Sequence, residues 1–224
     1  MLVELRARCV RRAMLFLANR RMMLVSYRHE HRRGWLDAVS RIKRERTFLL
    51  SHAEACQIIS ALKATAKVPG CIAELGVAYG ASAKLITDFA PERTVYLFDT
   101  FEGLPEPQEG DSEKFATGDF KSDIETVRKY LEGRRVVFHK GYFPETAGPV
   151  ADKQFSFVHL DVDLYESTRS GLEFFYPRMS KGGIIITHDY MTSAGVNRAF
   201  DEFFTGKPEP VIELMGYQAM IVKM

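Results

Sequence analysis

The fold is decided by residues 71–82, which read CIAELGVAYGAS. A short apolar run enters a loop with glycines at positions 76 and 80, which is typical of a buried strand that ends in a tight turn. The sequence after this turn predicts a helix from about Ser82 to Phe89. The helix should end there because Pro91 cannot continue it. We therefore interpret this stretch as a strand, a loop and a helix.

The same alternation of strands and helices continues along the chain. Further strands are predicted at residues 94–99, 135–140, 155–161 and 182–189, with helices at about 122–132, 166–178 and 193–204. Residues 211–223 then alternate between apolar and polar and predict a closing hairpin. Strands that alternate with helices form parallel sheets with right-handed crossovers. The prediction is an α/β fold: a doubly wound, mostly parallel, seven-stranded Rossmann-like sheet with a C-terminal antiparallel hairpin.

Two serines have the sequence spacing of a capping box, in which a serine and a glutamate three residues later cap the start of a helix. Ser51 is followed by Glu54, and Ser122 is followed by Glu125. We therefore expect a helix to begin after each serine.

Acids at the strand ends indicate what the sheet binds, because ligands of doubly wound sheets lie beyond the carboxyl ends of the strands. The first end carries Glu74, Gly76 and Gly80, whereas a dinucleotide fingerprint would need a glycine at Ala78. A carboxylate here repels a pyrophosphate and suits a ligand with a sulfonium and an ammonium. Asp99 ends the next strand, 23 residues after Gly76. It either accepts the hydroxyls of a ribose or caps a turn.

A second group of acids follows the fourth and fifth strands. Asp161 and Asp163 come directly after an apolar run, and His188 and Asp189 end the next strand. Neighbouring strands bring Asp161 and Asp189 to one edge, where carboxylates suit Mg²⁺, although acids here can also cap the following helices. His188 fits three roles: metal ligand, general base or hydrogen-bonded orienter. His159 lies within a strand and is expected to be a core histidine with a hydrogen-bond partner.

These residues together resemble the class I methyltransferases, and more narrowly the macrocin O-methyltransferase (TylF/MycF-like) family of sugar hydroxyl methylators. The resemblance covers about residues 46–224. Its most specific parts are LFDTFEGLPEP at 97–107 and FVHLDVDLYESTRSGLEFFYPRMSKGGIIITHDY at 157–190. It implies the methyltransferase form of the sheet and S-adenosylmethionine as cofactor. It also implies a hydroxyl of a sugar, a glycosylated natural product or a glycan as acceptor, with help from a divalent metal.

The resemblance also implies roles for single residues. The amino-acid end of the cofactor is assigned to a loop that includes Glu74, Gly76, Gly80 and Ser82. The ribose is assigned to Asp99, and the region of the adenine to Gly141 and Tyr142. The Mg²⁺ ligands are Asp161 and Asp189, with His188 at the position of a further ligand. As a mechanism, we expect Asp161, or His188 in its place, to accept the proton of the acceptor hydroxyl.

One position departs from the family pattern. Many members have Asp-Asp-Tyr where this chain has His188, Asp189 and Tyr190. A neutral imidazole is a poorer ligand for Mg²⁺ than a carboxylate, so the metal and the need for one are open. The loop at residues 103–121 resembles the family's mobile lid over the substrate, and its prolines and glycines fit a loop without regular structure.

The N-terminal segment differs from the remainder in charge. Residues 1–46 carry 13 basic and 4 acidic side chains, whereas residues 47–224 carry 18 and 25. We interpret 1–46 as a basic helical extension and 47–224 as the methyltransferase domain. A helical stripe of apolar residues in the extension, from Leu2 to Leu24, would pack on the domain or on a second subunit of a homo-oligomer. Peripheral contact with a membrane is the alternative, and nucleic acid is the least favoured partner.

Composition limits the remaining choices. Three cysteines without a C-x-x-C pair argue against a disulfide framework and a zinc site, and they fit a reducing, cytoplasmic location. The longest apolar stretch of the extension is far below the roughly 20 residues that span a bilayer. Two other functions stay open: a cofactor-binding scaffold without catalysis, and a nicotinamide-dependent oxidoreductase.

Overall fold

The computed structural model describes residues 30–224. Leu36–Met224 form one compact unit. The end of the predicted N-terminal extension is helical, since helix α1 comprises Glu30–Glu45. The apolar stripe from Leu2 to Leu24 lies outside the described residues, and a domain boundary after residue 46 stays a prediction.

The described chain forms a seven-stranded sheet in the order β3-β2-β1-β4-β5-β7-β6. Its strands are β1 (Cys71–Leu75), β2 (Val95–Asp99), β3 (Val136–Lys140), β4 (Phe155–Leu160), β5 (Met179–Thr187), β6 (Ile212–Glu213) and β7 (Ala219–Val222). Strands β1 to β5 pair in parallel, and β7 pairs antiparallel with both β5 and β6. The predicted fold class and its C-terminal hairpin are confirmed.

Helices surround this sheet and follow the predicted order. After α1 come α2 (His52–Ala64), α3 (Ala81–Phe89), α4 (Ile124–Tyr130), α5 (Tyr165–Phe175) and α6 (Ala194–Phe204). Helix α5 is shorter than predicted, and Tyr176–Arg178 continue it as a 3-10 turn. Pro177 has no N–H to donate and therefore ends the α-helical hydrogen bonding. No helix within residues 30–224 is long and apolar enough to cross a membrane.

One of the two predicted capping boxes is confirmed. The Ser51 hydroxyl accepts from the N–H of Glu54 at 3.2 Å, and the Glu54 carboxylate accepts from the N–H of Ser51 at 2.7 Å. The second was wrong, because the carboxylate of Asp123 caps α4. A carboxylate next to the helix start is a strong acceptor for its free N–H groups. Ser122 instead donates to the carbonyl of Ala78 at 2.7 Å and so ties the start of α4 to the first loop.

The core lies below the strand ends and leaves them open for a ligand. Strand β4 is buried along its whole length, as expected for a central parallel strand. Aromatic rings fill the space beside it, with Phe155 and Phe175 edge to face at 5.1 Å between ring centres. This packing fixes the positions from which the loops at the strand ends depart.

Candidate active site

A cavity of about 580 Å³ opens at the carboxyl ends of the parallel strands. Its walls come from the loop after β1, the ends of β2, β4 and β5, the loop at 103–121 and the chain near Tyr217. Predicted site residues that line this one cavity are Gly76, Ser82, Asp99, Gly141, Tyr142, Asp161, His188 and Asp189. The strand ends therefore bring most of the predicted residues together.

Residues 76–80, here called the glycine loop, pack against the end of β4. Gly76 has φ +89°, and a Cβ atom there would lie 1.8 Å from the carbonyl oxygen of Asp161. Only glycine permits this conformation and this close approach together. Gly80 has φ +80° and is the residue directly before α3. The free N–H groups at the start of that helix therefore come directly after the glycine loop.

Asp99 shapes the glycine loop from the neighbouring strand. Its Oδ2 atom accepts from the N–H groups of Val77 and Ala78 at 2.7 and 2.8 Å. Its Oδ1 atom accepts from the N–H of Phe101 at 2.6 Å and retains a lone pair for a ligand. The sequence left two roles open for Asp99, a turn cap and a ribose contact. These hydrogen bonds show the turn cap, and the ribose contact stays a prediction.

Glu74 lies beneath the glycine loop, behind the cavity wall. It is fully buried, and its Oε1 atom is 2.9 Å from Nδ1 of His159, which is also fully buried. The prediction that His159 is a partnered core histidine is confirmed in this contact. Burial raises the pKa of Glu74, and the hydrogen bond and charge of His159 oppose this shift. The carboxylate thus joins β1 to β4 beneath the cavity, and its predicted contact with a cofactor stays a prediction.

Asp161, His188 and Asp189, here called the rim cluster, meet at the edge of the same cavity. Nδ1 of His188 lies 2.7 Å from Oδ2 of Asp189 and 3.3 Å from Oδ1 of Asp161. Burial alone would lower the pKa of His188, but Asp161 and Asp189 raise it above its ordinary value. The alternative, that these acids cap the following helices, is not seen: Asp111 accepts from the first N–H of α5, and Ser193 caps α6.

The backbone near the rim cluster is strained. Asp163 and Asp189 have φ of +63° and +56°, which are uncommon for residues with a side chain. Such conformations concentrate at functional sites, where the surrounding structure holds them in place. Burial and the charges of Asp161 and Asp189 raise the pKa of Asp163, which lies next to the cluster.

The rim cluster has a geometry that a divalent cation can occupy. One potential ligand atom from each residue lies within 4.8 Å of the other two. When an octahedral ion has bonds of roughly 2.1 Å, two neighbouring ligand atoms lie about 3 Å from each other. The distances from Nδ1 of His188 to the oxygens of Asp189 and Asp161, 2.7 and 3.3 Å, are close to this spacing. Two carboxylates and an imidazole suit first-row transition metals better than Mg²⁺. The residues fit a divalent metal, while its identity remains a proposal.

Two residues of this site were missed by sequence reasoning. Lys114 lies in the 103–121 loop, and its Nζ atom is 3.1 Å from Oδ1 of Asp189. Glu54 is almost fully buried, and its Oε1 atom is 3.7 Å from Nε2 of His188. Both contacts join parts of the chain that are distant in sequence, so no local pattern predicts them. The sequence singled out Glu54 only as part of a capping box, and it gave no signal for Lys114.

The 103–121 loop covers the cavity without regular secondary structure, as predicted. The backbones of Leu104 and Asp119 bond at 2.9 Å and close the loop on itself. Asp111 accepts from the N–H of Tyr165 at 2.8 Å and so attaches the loop to the start of α5. The mobility implied by the resemblance to a lid stays a prediction.

Residues 50–213 match the model of the macrocin-O-methyltransferase (TylF) family. The chain belongs to this family. The resemblance stated from the sequence is thereby confirmed.

Two curated relatives of this family member are named as sugar or natural-product O-methyltransferases. The demethyldecarbamoylnovobiocin O-methyltransferase of Streptomyces niveus is 32% identical over 157 residues, which cover 61% of this chain and 58% of the relative. The 8-demethyl-8-(2,3-dimethoxy-alpha-L-rhamnosyl)-tetracenomycin-C 4'-O-methyltransferase of Streptomyces olivaceus is 32% identical over 170 residues, which cover 66% of this chain and 64% of the relative. The matched region thus spans less than two thirds of either relative.

A solved structure agrees with the fold. The O-methyltransferase NovP superposes with a TM-score of 0.70 at 26% identity, over 79% of this chain and 82% of NovP. The Rossmann-like sheet of the family is therefore present in this chain.

Proposed function

We propose that this chain transfers a methyl group from S-adenosylmethionine to a hydroxyl of a sugar or of a glycosylated natural product, with assistance from a divalent metal. The observation that carries the proposal is the meeting of the glycine loop and the rim cluster in one cavity. Family membership and the named activities of the two relatives support the same chemistry.

The glycine loop would hold the cofactor, which supplies the methyl group from its positively charged sulfonium. Gly76 leaves the backbone at the cavity wall open to a ligand, and Asp99 offers a carboxylate oxygen there. Tyr142 presents a ring that is 55% exposed and can stack against a flat base. Carboxylates that line the cavity, among them Asp99 and Asp161, favour a cationic ligand over a pyrophosphate.

The rim cluster would prepare the acceptor hydroxyl for attack. The side chain of Asp161 is 24% exposed, compared with 10% for His188 and 12% for Asp189. Asp161 is therefore the residue of the cluster best placed to accept the hydroxyl proton. A divalent metal held by the three residues would act as a Lewis acid and lower the pKa of the hydroxyl. His188 and Asp189 would hold the metal from the more buried side of the rim cluster.

The 103–121 loop would exclude water and align the acceptor. Leu104 and Phe115 line the cavity from this loop, and Lys114 holds the loop to Asp189. Transfer of a methyl group needs the attacking oxygen in line with the bond that breaks, so positioning contributes much of the rate.

The cavity mouth indicates an acceptor with an apolar part. Leu49 and Tyr217 line the cavity and are 57% and 50% exposed. Exposed apolar side chains at a site entrance favour a ligand that also carries apolar surface. A sugar attached to an aromatic or macrocyclic aglycone has this character, in keeping with the names of the two relatives.

The proposal is tested by replacing Asp161 with Asn. We expect kcat/KM for labelled methyl transfer to rhamnosylated aromatic natural products to fall by about 10²- to 10⁴-fold, the range typical of a lost general base. Affinity for S-adenosylhomocysteine should change little, because the carboxylate of Asp161 belongs to the rim cluster and not to the glycine loop. The control is Asp152→Asn at an exposed position, which should leave both quantities unchanged. Normal turnover by Asp161→Asn would contradict the assigned role.

A further inference from the structure

We infer that Glu54 is a positioning residue that holds His188 through Nε2, so that Nδ1 faces Asp161 and Asp189. This inference rests on the proposed function, because it concerns the use of His188 in the rim cluster. It assigns a role to a helix that precedes the first strand and supplies no other residue of the cluster.

The two ring nitrogens of His188 have different surroundings. Nδ1 contacts the two carboxylates of the rim cluster at 2.7 and 3.3 Å. Nε2 is buried and has no hydrogen-bond partner among residues 30–224. The carboxylate of Glu54 lies 3.7 Å from Nε2, which is too long for a direct hydrogen bond and short enough for a strong charge contact in a buried place.

Glu54 is itself held in place from two sides. Its Oε2 atom accepts from the N–H of Ser51 at 2.7 Å, and its Oε1 atom accepts from the N–H of Tyr217 at 2.9 Å. The side chain is 2% exposed, and the ring of Tyr217 packs edge to face on His188. The carboxylate therefore forms a fixed negative point behind the imidazole.

A fixed carboxylate behind one ring nitrogen decides how a histidine functions. It favours a proton on Nε2 and disfavours the flipped ring, which leaves Nδ1 facing the two carboxylates of the rim cluster. A carboxylate at this position also makes the imidazole a stronger donor to a metal. This would offset part of the weaker affinity of an imidazole for a hard divalent cation.

The experiment replaces Glu54 with Gln in the full chain and measures Mn²⁺ binding by calorimetry. We expect the affinity for Mn²⁺ to fall about 10- to 100-fold, the range found when a carboxylate behind a metal-bound histidine is lost. Affinity for S-adenosylhomocysteine should stay within about twofold of the original, since Glu54 is not at the glycine loop. The matched control is Ser51→Ala, which removes the other half of the capping box and keeps the carboxylate; its Mn²⁺ affinity should not change.

A double variant separates positioning from a merely structural effect. In a His188→Gln background, Glu54→Gln should cause no further loss of Mn²⁺ affinity, because Glu54 acts through the ring of His188. An equal loss in that background, or unchanged affinity in the single variant, would overturn the inference. If Glu54→Gln does not fold, Glu54→Asp is used instead, because it keeps the negative charge but moves it away from His188. A Mn²⁺ affinity of Glu54→Asp equal to that of the original chain would likewise overturn the inference.

The outcome is distinguishable from a failure of the proposed function. If the original chain binds S-adenosylhomocysteine and transfers methyl groups but takes up no Mn²⁺, the role of Glu54 is overturned and methyl transfer stands. Failure of both binding and transfer would reject the proposed function as well.

Discussion

The glycine loop and the rim cluster lie at neighbouring strand ends but are held together by different contacts. The loop is shaped mainly by the backbone: Gly76 approaches the carbonyl of Asp161, and Asp99 binds the N–H groups of Val77 and Ala78. Most of these residues are close in sequence or on adjacent strands.

The rim cluster is held by contacts between charged side chains, and two of these contacts come from distant parts of the chain. His188 contacts Asp161 and Asp189 on one side and faces Glu54 on the other, and Lys114 adds a cation from the covering loop. The difference indicates that the glycine loop is fixed by the fold itself, whereas the rim cluster can change through its side chains without altering the sheet.

The largest effect is expected where the two regions touch. Gly76→Ala would place a Cβ atom 1.8 Å from the Asp161 carbonyl and would also strain φ at +89°. We expect a loss of stability of about 3 kcal/mol or more, and affinity for S-adenosylhomocysteine reduced by at least about 100-fold. Chemical denaturation and calorimetry measure the two quantities.

The matched control for Gly76→Ala is Gly133→Ala. Gly133 also has a positive φ, +75°, but a Cβ atom there meets nothing within 4 Å. It should cost only about 1–2 kcal/mol, the strain of the left-handed backbone, and leave the ligand affinity unchanged. Equal effects of the two changes would show that the contact with Asp161 does not matter.

The smallest effect is expected at the covering loop. Lys114→Met removes an ammonium group that lies 3.1 Å from Oδ1 of Asp189. In the original chain, this ammonium would compete with a metal for that oxygen. Because the lysine side chain is 43% exposed, the contact is worth no more than about 1 kcal/mol, and Mn²⁺ affinity should rise roughly two- to fivefold at low salt.

The matched control for Lys114→Met comes from the same loop. Lys121 pairs with Glu102 at the surface, so Lys121→Met should leave Mn²⁺ affinity unchanged. A fall in affinity for Lys114→Met would mean that the lysine assists the metal and does not compete with it.

The sequence was sufficient for the fold and for most of the glycine loop. Short apolar runs located each parallel strand, since the pattern of a buried strand is local information. Gly76 and Asp99 could be recognised because a turn and a strand end leave characteristic residues at fixed spacing.

The remaining contacts depended on tertiary structure. Ser122 had the spacing of a capping residue, yet Asp123 caps the helix and Ser122 binds the Ala78 carbonyl, a choice that needs the position of the first loop. Glu74 was expected at a ligand and lies buried against His159, because strand register places the two opposite each other. Glu54 and Lys114 reach the rim cluster from other parts of the chain, so no local pattern could have indicated them.

The proposed cofactor is tested most directly by a calorimetric titration of the full chain with S-adenosylhomocysteine and, separately, with NAD. We expect S-adenosylhomocysteine to bind with one-to-one stoichiometry and NAD not to bind, because the carboxylates that line the cavity favour a cationic cofactor over a pyrophosphate. Binding of NAD, or of neither ligand, would contradict this expectation.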